Sequence, residues 1–224
     1  LLRDIDLGQS DRWSAWTKAA RADYLEWTTS VPNPGAVQVA DIYKHLNETL
    51  PDDAILCNGA GNYAAWLHRF YRYKSFPSQL APTSGAMGYG VPAAIAAKIC
   101  EPKREVICFS GDGCFMMSSN DLATAVRYDA RVIFLVFNNS MYGTIRMHQE
   151  REFPTRVSGT DLTNPDFVAF AKSFGCAAFK VDKTEDFVGA FAAARAAGKV
   201  ALIEITIDPD AISPTTTVSK LRGY

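Results

Sequence analysis

Residues 105–139 read EVICFSGDGCFMMSSNDLATAVRYDARVIFLVFNN, and this stretch decides the fold. Two strand-like apolar runs, residues 105–109 and 131–137, end in the polar motifs Gly111-Asp112-Gly113 and Asn138-Asn139. A helical pattern lies between them, at about residues 119–128. Strands that are apolar on both faces are typical of parallel sheets, and parallel neighbours need a long, usually helical, crossover. The stretch therefore predicts one β-α-β unit of a parallel sheet.

The same alternation of helix and strand continues on both sides of this unit. Asn164-Pro165 is a suitable cap and first turn for one helix, and Thr184 is a suitable cap for another. Residues 35–224 are therefore predicted to form a doubly wound α/β domain, with a mostly parallel sheet covered by helices on both faces. Further predicted strands are residues 54–57, 177–181 and 200–205, and further predicted helices are a segment from Val39 to Leu46, a segment through Trp66 to Phe70, and residues 93–98, 164–174 and 184–197.

The composition narrows the class of protein. With 224 residues, 48% of them apolar and 12% aromatic, the chain suits one large domain or one domain with a short appendage, and it is too apolar for disorder. A formal net charge of −1 provides no electrostatic attraction to nucleic acid or to an anionic membrane. No apolar run approaches a membrane-spanning length, and the N-terminus lacks the layout of a signal peptide. The five scattered cysteines indicate reduced thiols, so we expect a cytoplasmic protein.

Residues 1–34 differ from the rest of the chain. Trp13, Trp16 and Trp27 lie among charged residues, which predicts a helix with an aromatic face. The helix should end before Pro32, because proline disfavours helical backbone at itself and at the preceding residue. We interpret residues 1–34 as a linker or strap from a missing upstream domain, since the aromatic side chains need a surface to cover them and the first residue is not Met.

The two polar motifs predict a binding site. Ligands of open α/β sheets bind beyond the carboxyl ends of the strands, and the 24 residues between the motifs allow one crossover that returns Asn139 to the edge where Asp112 lies. A carboxylate, an amide oxygen and a backbone carbonyl suit Mg²⁺. Glycines beside Asp112 let the backbone approach a diphosphate, and a helix predicted to start near Ser118 would add its N-terminal N–H groups. Each motif alone is a common turn, whereas the joint pattern at this spacing is much more specific.

This joint pattern resembles that of the thiamine-diphosphate enzymes. The resemblance implies thiamine diphosphate and Mg²⁺ as cofactors, with Asp112, the Asn139 side chain and the Met141 backbone carbonyl as metal ligands. It also implies that Gly113 and Cys114 contact the diphosphate through backbone N–H groups. The segment Gly85-Ala86-Met87-Gly88 is similar to the family stretch in which the methionine supports the bent cofactor. The full set of implied cofactor-binding residues is Ala60, Gly61, Asn62, Gly85, Met87, Gly111, Asp112, Gly113, Cys114, Asn139, Met141, Tyr142 and Gly143.

The sequence after the second motif, residues 141–146 and 156–166, is most similar to the acetolactate-synthase-like branch. The resemblance implies decarboxylation or carboligation of a small 2-oxo acid. In the family, a glutamate from a separate pyrimidine-binding domain activates the cofactor, and this chain has no room for that domain. We therefore assign no catalytic residue here, exclude Glu150 and Glu152 from that role, and expect the chain alone to be inactive. The missing domain is expected on the same full-length chain or on a separate subunit, and the whole protein is expected to be a homo-oligomer.

Alternatives remain open at this point. The chain could be a separately encoded subunit, or a non-catalytic scaffold that binds diphosphate and Mg²⁺. A nucleotide phosphohydrolase is disfavoured, because the sequence has no G-x-x-x-x-G-K-[ST] loop. Among single residues, His148 could assist proton transfer or lie on a helix surface, and His68 could face substrate or an interface. Arg146 and Arg151 could bind a substrate carboxylate, whereas Cys114 fits a backbone contact better than a nucleophile.

Overall fold

Six parallel strands form one sheet within residues 11–223, the part of the chain described by the computed structural model. They are β1 (Ile55–Asn58), β2 (Gln79–Leu80), β3 (Val106–Gly111), β4 (Ile133–Asn138), β5 (Ala177–Val181) and β6 (Ala201–Thr206), in the order β2-β1-β3-β4-β6-β5. Every residue of β1 and β3 is buried, as their continuous apolar sequence predicted. The two-residue strand β2 was not predicted, because two residues carry no periodic pattern.

Helices cover both faces of the sheet. They are α2 (Val39–Thr49), α3 (Asn62–Phe70), α4 (Gly90–Cys100), α5 (Asp112–Met116), α6 (Leu122–Arg127), α7 (Gly143–Glu152), α8 (Phe167–Ser173), α9 (Thr184–Ala196) and α10 (Val218–Leu221). Successive strand residues point to opposite faces. In β3, Phe109 therefore packs with residues of α2, α3 and α9, whereas Cys108 packs with residues of α4, α6 and α8. The predicted doubly wound α/β fold is confirmed.

The described residues fall into two units, one that ends at Ser30 and one that begins at Val31. In the described part of the first unit, a 3-10 turn (Asp11–Trp13) precedes α1 (Ser14–Trp27), so the predicted helix is present. No residue of α1 is buried. Residues 1–10 of the predicted strap lie outside the described residues, and its role as a linker stays a prediction. Asn33 belongs to the second unit, where its side-chain amide bonds the backbone of Val37 and Val39.

The structure adds a short helix to the predicted β-α-β unit and corrects two predicted helix caps. An unpredicted short helix, α5, begins directly at Asp112. The helix predicted from near Ser118 is present as a 3-10 turn at Ser119–Asp121 that leads into α6. The cap of α8 is Asp166, whose carboxylate accepts from the Ala169 N–H, because the Asn164 side chain bonds elsewhere. Thr184 does not cap α9, since its hydroxyl accepts from the Gln38 N–H.

The structure also bears on disulfide pairing and on membrane-spanning helices. All five cysteines carry free thiols; Cys57, Cys108, Cys114 and Cys176 are buried and Cys100 is exposed. Among the described residues, no helix is both long enough and apolar enough to cross a membrane.

Candidate functional site

A cavity of about 240 Å³ lies at the carboxyl edge of the sheet. All thirteen residues that the sequence analysis assigned to cofactor binding line it. They come from three loops, which follow β1, precede α4 and follow β3, and from the turn after β4. The walls that sequence reasoning missed are formed by Val39, Tyr63, Trp66, Phe137, Thr144, Ile145, Ile207, Ala211 and Ile212.

The pairing of β3 with β4 brings the two polar motifs together. The strands are parallel neighbours, with Gly111 opposite Phe137, so both motifs leave the sheet at the same edge. The predicted single crossover is therefore confirmed. Gly113 lies against the Tyr142 ring, and a Cβ on Gly113 would lie 2.6 Å from a carbon of that ring. Only glycine permits this close approach between the two loops.

Asp112 is the acidic centre of the cavity. It is the first residue of α5 and is 2% exposed. One carboxylate oxygen, Oδ1, accepts from the Gly113 N–H at 2.9 Å, and Oδ2 accepts from Asn164 Nδ2 at 2.7 Å. Burial raises the pKa of Asp112 above its usual value, and the hydrogen bonds from Asn164 and Gly113 oppose that rise.

The turn after β4 gives its two asparagines different surroundings. Asn139 lines the cavity, and its Oδ1 accepts from the Met141 N–H at 3.2 Å. Asn138 instead donates from Nδ2 to buried Glu204 at 2.7 Å, and its Oδ1 accepts from the Ser140 N–H. The Met141 backbone lies beside that of Asp161 in an antiparallel bridge. The Asn139 amide therefore faces the cavity, while buried Glu204 holds the Asn138 amide.

Two helices, α3 and α5, and the loop before α4 are joined at a sulfur atom. Cys114 Sγ accepts from the Gly88 N–H and from the Tyr63 hydroxyl, both at 3.2 Å. Cys114 is buried, and neither sulfur partner is a general base, so the structure gives this thiol a packing role and offers no support for a nucleophile. Burial also raises the pKa of Tyr63 well above its usual value. Tyr63 therefore acts as a neutral donor that ties α3 to α5.

Asn62 closes one wall of the cavity. Its Oδ1 accepts from the Thr144 hydroxyl on α7, and its Nδ2 donates to the Ile212 carbonyl, both at 2.9 Å. The segment that contains Ile212 follows the last strand and has no periodic pattern. Sequence reasoning therefore could not place it, although three of its residues line the cavity.

The other candidates considered from the sequence lie outside the cavity lining. Arg146 is paired with Glu150 at 2.8 Å and with Asp161, so the guanidinium is already engaged. Arg151 is exposed and contacts Glu152 and His148, which is also exposed. His68 lies exposed on α3. None of these arginines and histidines contributes to the lining, so the structure does not support a substrate-binding role for them in this chain.

Glu150 is fully buried, but as part of an ion cluster. Its oxygens accept from Arg222 and Arg146 and from the Thr155 N–H. These contacts, with that of Arg222 the strongest, lower the pKa of Glu150 to about 2. The cluster joins α7 to the C-terminal helix α10, so this carboxylate is structural.

The oxygens at the cavity could hold a hard cation. Within residues 11–223 no group of three His, Cys, Asp or Glu side chains is placed to bind a metal. The candidate set contains one carboxylate, one amide and one backbone carbonyl, from Asp112, Asn139 and Met141. Magnesium accepts such oxygen donors, with water or phosphate oxygens at the remaining positions.

Comparisons with known proteins agree with this geometry. The family model described as thiamine pyrophosphate enzyme, C-terminal TPP binding domain, matches residues 59–205. Acetolactate synthase of Mycobacterium bovis is 33% identical over 190 residues, covering 82% of this chain and 31% of the relative. The mitochondrial acetolactate synthase of Schizosaccharomyces pombe is 34% identical over 165 residues, covering 71% and 24%.

A solved structure is also similar. The thiamine diphosphate-dependent 4-hydroxybenzoylformate decarboxylase of Rhodococcus jostii superimposes with a TM-score of 0.74 at 29% identity. The match covers 80% of this chain and 34% of that one. This chain thus spans about a third or less of the length of the relatives it matches.

Proposed function

Because this chain belongs to the thiamine pyrophosphate enzymes, as their C-terminal TPP-binding domain, we propose that it is the cofactor-binding part of an enzyme acting on 2-oxo acids. The reaction would be an acetolactate-synthase-like carboligation or a decarboxylation. The observation that carries the proposal is that all thirteen residues of the family pattern line one cavity. The names of the relatives, an acetolactate synthase and a decarboxylase, support these two reaction types.

The chemistry of the cavity fits a divalent cation. Asp112 is a buried carboxylate, and in the described part of the chain its hydrogen-bond partners are neutral groups and no cation pairs with it. An isolated buried charge is costly, so this carboxylate needs a counter-charge. Mg²⁺ would supply it, and a bound cation favours the ionised carboxylate. Asp112, the Asn139 side chain and the Met141 carbonyl would hold the metal.

The remaining residues would bind and orient the cofactor. Cys114 would donate its backbone N–H group to the diphosphate, since it lies in the first turn of a helix whose first N–H groups lack intrahelical acceptors. Gly113, whose own N–H bonds Asp112, would let the backbone approach the diphosphate closely. Met87 and Gly85 would support the rest of the molecule. Thiamine diphosphate, when bound, supplies the electron sink for the carbanion left by decarboxylation. Trp66, Val39 and Ile212 contribute an apolar wall to the cavity.

This chain would need a second domain for turnover. We propose that the activating glutamate belongs to a pyrimidine-binding domain, on the same full-length chain or on another subunit of a cytoplasmic homo-oligomer. Two features support this. Glu150 is neutralised by Arg146 and Arg222, and Glu152 is exposed and paired with Arg151. Neither glutamate lines the cavity, and we expect the chain alone to be inactive. The alternative is a non-catalytic scaffold that binds the same ligands.

Calorimetric titration with thiamine diphosphate tests the proposal. The chain should bind thiamine diphosphate in the presence of Mg²⁺, and chelation of the Mg²⁺ should abolish that binding. Asp112→Asn keeps the shape of the side chain but loses the charge, so it should lose the Mg²⁺-dependent part of the affinity. Asp129→Asn, an exposed carboxylate paired with Arg131, is the matched control and should bind like the unmodified chain. Unchanged affinity in Asp112→Asn would remove the metal assignment.

Turnover distinguishes the enzyme from the scaffold. A pyrimidine-binding domain from the longer natural protein, or from a partner subunit, is added to the chain, and consumption of pyruvate is followed. Restored turnover supports the proposed enzyme. Tight cofactor binding without turnover in the complete protein would favour the scaffold.

A further inference from the structure

We propose that Asn164 is a positioning residue that sets the spacing between the metal ligands Asp112 and Asn139. This inference rests on the proposed function. Asn164 precedes α8 and contacts neither the cavity nor, on the proposed ligand set, the metal. Its Nδ2 donates to Asp112 Oδ2 at 2.7 Å and to Asn138 Oδ1 at 3.0 Å. One amide group thus joins the residue after β3 to the last residue of β4.

The donor and the acceptor of each hydrogen bond around Asn164 and Asn138 are fixed. Asn138 Oδ1 also accepts from the Ser140 backbone N–H, which can only donate. The Asn138 NH₂ group therefore is the one that donates to Glu204, at 2.7 Å. Asn138 therefore presents an oxygen to Asn164, and Asn164 must present its NH₂ group to both partners. Since an NH₂ group has two hydrogens, the two bonds use both of them.

This arrangement fixes the Asp112 carboxylate. Oδ1 is held by the Gly113 N–H and Oδ2 by Asn164, so the carboxylate cannot rotate without breaking one of the two bonds. Each oxygen keeps a further lone pair for a cation. Groups that orient metal ligands through hydrogen bonds typically change metal affinity about 10–100-fold when removed.

The same amide also controls the second ligand. Asn138 is the residue directly before Asn139, and buried Glu204 on β6 holds it from the other side. Successive hydrogen bonds thus link Glu204 on β6, through Asn138 and Asn164, to the metal ligand Asp112 on α5. Asn164 is not needed to cap α8, because Asp166 does so. If Asn164 had a purely structural role, its substitution would lower the stability of the fold but leave the metal affinity unchanged.

Binding of Mn²⁺ in the presence of thiamine diphosphate tests the inference, followed by electron paramagnetic resonance on the full chain. Asn164→Leu keeps the approximate size but has no donor, and Asn164→Ala removes the donor without adding bulk or charge. Both should weaken Mn²⁺ binding about 10–100-fold. The spectrum of the remaining bound Mn²⁺ should broaden, because its ligands are less well ordered.

Asn47→Leu is the matched control. Asn47 is a half-buried asparagine at the end of α2, whose amide donates to the Phe70 carbonyl and accepts from the Arg72 N–H, away from the cavity. It should lower the melting temperature while leaving the Mn²⁺ affinity and spectrum unchanged. Should Asn164→Leu fail to fold, Asn164→Ala gives the same comparison with a smaller, uncharged side chain.

The outcomes separate the two proposals. Normal Mn²⁺ affinity in a folded Asn164 variant would overturn the positioning role and leave the proposed function intact. The same loss of affinity in Asn47→Leu would also overturn it, since loss of stability alone would then explain the effect. If the unmodified chain binds no Mn²⁺ with thiamine diphosphate, the metal site itself is refuted, and the inference falls with it.

Discussion

Replacement of Glu150 by glutamine tests the buried ion cluster that joins α7 to α10. The side chain has no exposed surface and accepts from Arg146, Arg222 and the Thr155 N–H. Lowering the pKa from 4.5 to about 2 corresponds to roughly 3 kcal/mol of folding free energy. Because 29% of the Arg222 side chain is exposed to solvent, screening reduces the expected loss to about 1–2 kcal/mol at pH 7.

The pH dependence gives the sharper test. A carboxylate with a lowered folded pKa stabilises the protein fully above its unfolded pKa of about 4.5, and that stabilisation is lost as the pH falls through about 2. Glutamine does not titrate in this range. The difference between the unmodified chain and Glu150→Gln, measured by urea unfolding, should therefore fall by more than half between pH 6 and pH 3.

A neighbouring residue provides the control. Glu152 is exposed and paired with Arg151, so Glu152→Gln should change the free energy of unfolding by less than about 0.5 kcal/mol at any pH. Equal effects of the two substitutions would refute the reasoning. So would a Glu150→Gln difference that stays constant down to pH 3, because the carboxylate would then not be the stabilising group.

Two further substitutions test the packing around the cavity. Gly90→Ala places a Cβ 2.8 Å from the Gly59 backbone nitrogen and should destabilise the chain by about 1–3 kcal/mol in thermal unfolding. Gly189→Ala, within α9 and with open space around it, should instead stabilise by about 0.5–1 kcal/mol, and an equal loss at both positions would contradict the close approach. Tyr63→Phe removes the hydroxyl that donates to Cys114 and should cost about 0.5–1.5 kcal/mol. The same substitution should speed labelling of the Cys114 thiol in a thiol-reagent assay, and an unchanged labelling rate would show that the bond does not restrain α5.

The sequence predicted the sheet and the meeting of Asp112 with Asn139 because the signals for both are local, whereas the other cavity residues were implied by the resemblance to the thiamine-diphosphate enzymes. A buried parallel strand is apolar along its whole length, and the position of a polar motif at its end follows from strand direction alone. Asp112 and Asn139 could therefore be brought to one edge before any contact was known. Short or aperiodic segments gave no such signal, as with β2 and the residues around Ile212.

The errors came from side chains with a choice of partner. Asn164 and Thr184 are both residue types that cap helices, and the local sequence favours that role at each position. In the folded chain, Asn164 lies 2.7 Å from the Asp112 carboxylate, and Thr184 accepts from the Gln38 N–H, 146 positions away in sequence. Long-range partners of this kind cannot be read from a single sequence, because nothing local distinguishes a cap from a cross-link.

The pair Asn138-Asn139 shows how one motif divides its work between the fold and the site. Neighbouring residues at the end of a strand point in opposite directions, so one amide turns toward Glu204 and the interior while the next lines the cavity. The interior amide is held from both sides, by Glu204 and by Asn164, whose bond continues to Asp112. A cation site with a single carboxylate depends on such hydrogen bonds, because they hold the metal ligands in position. The first asparagine therefore places the second, and two residues that look equivalent in the sequence have separate physical roles.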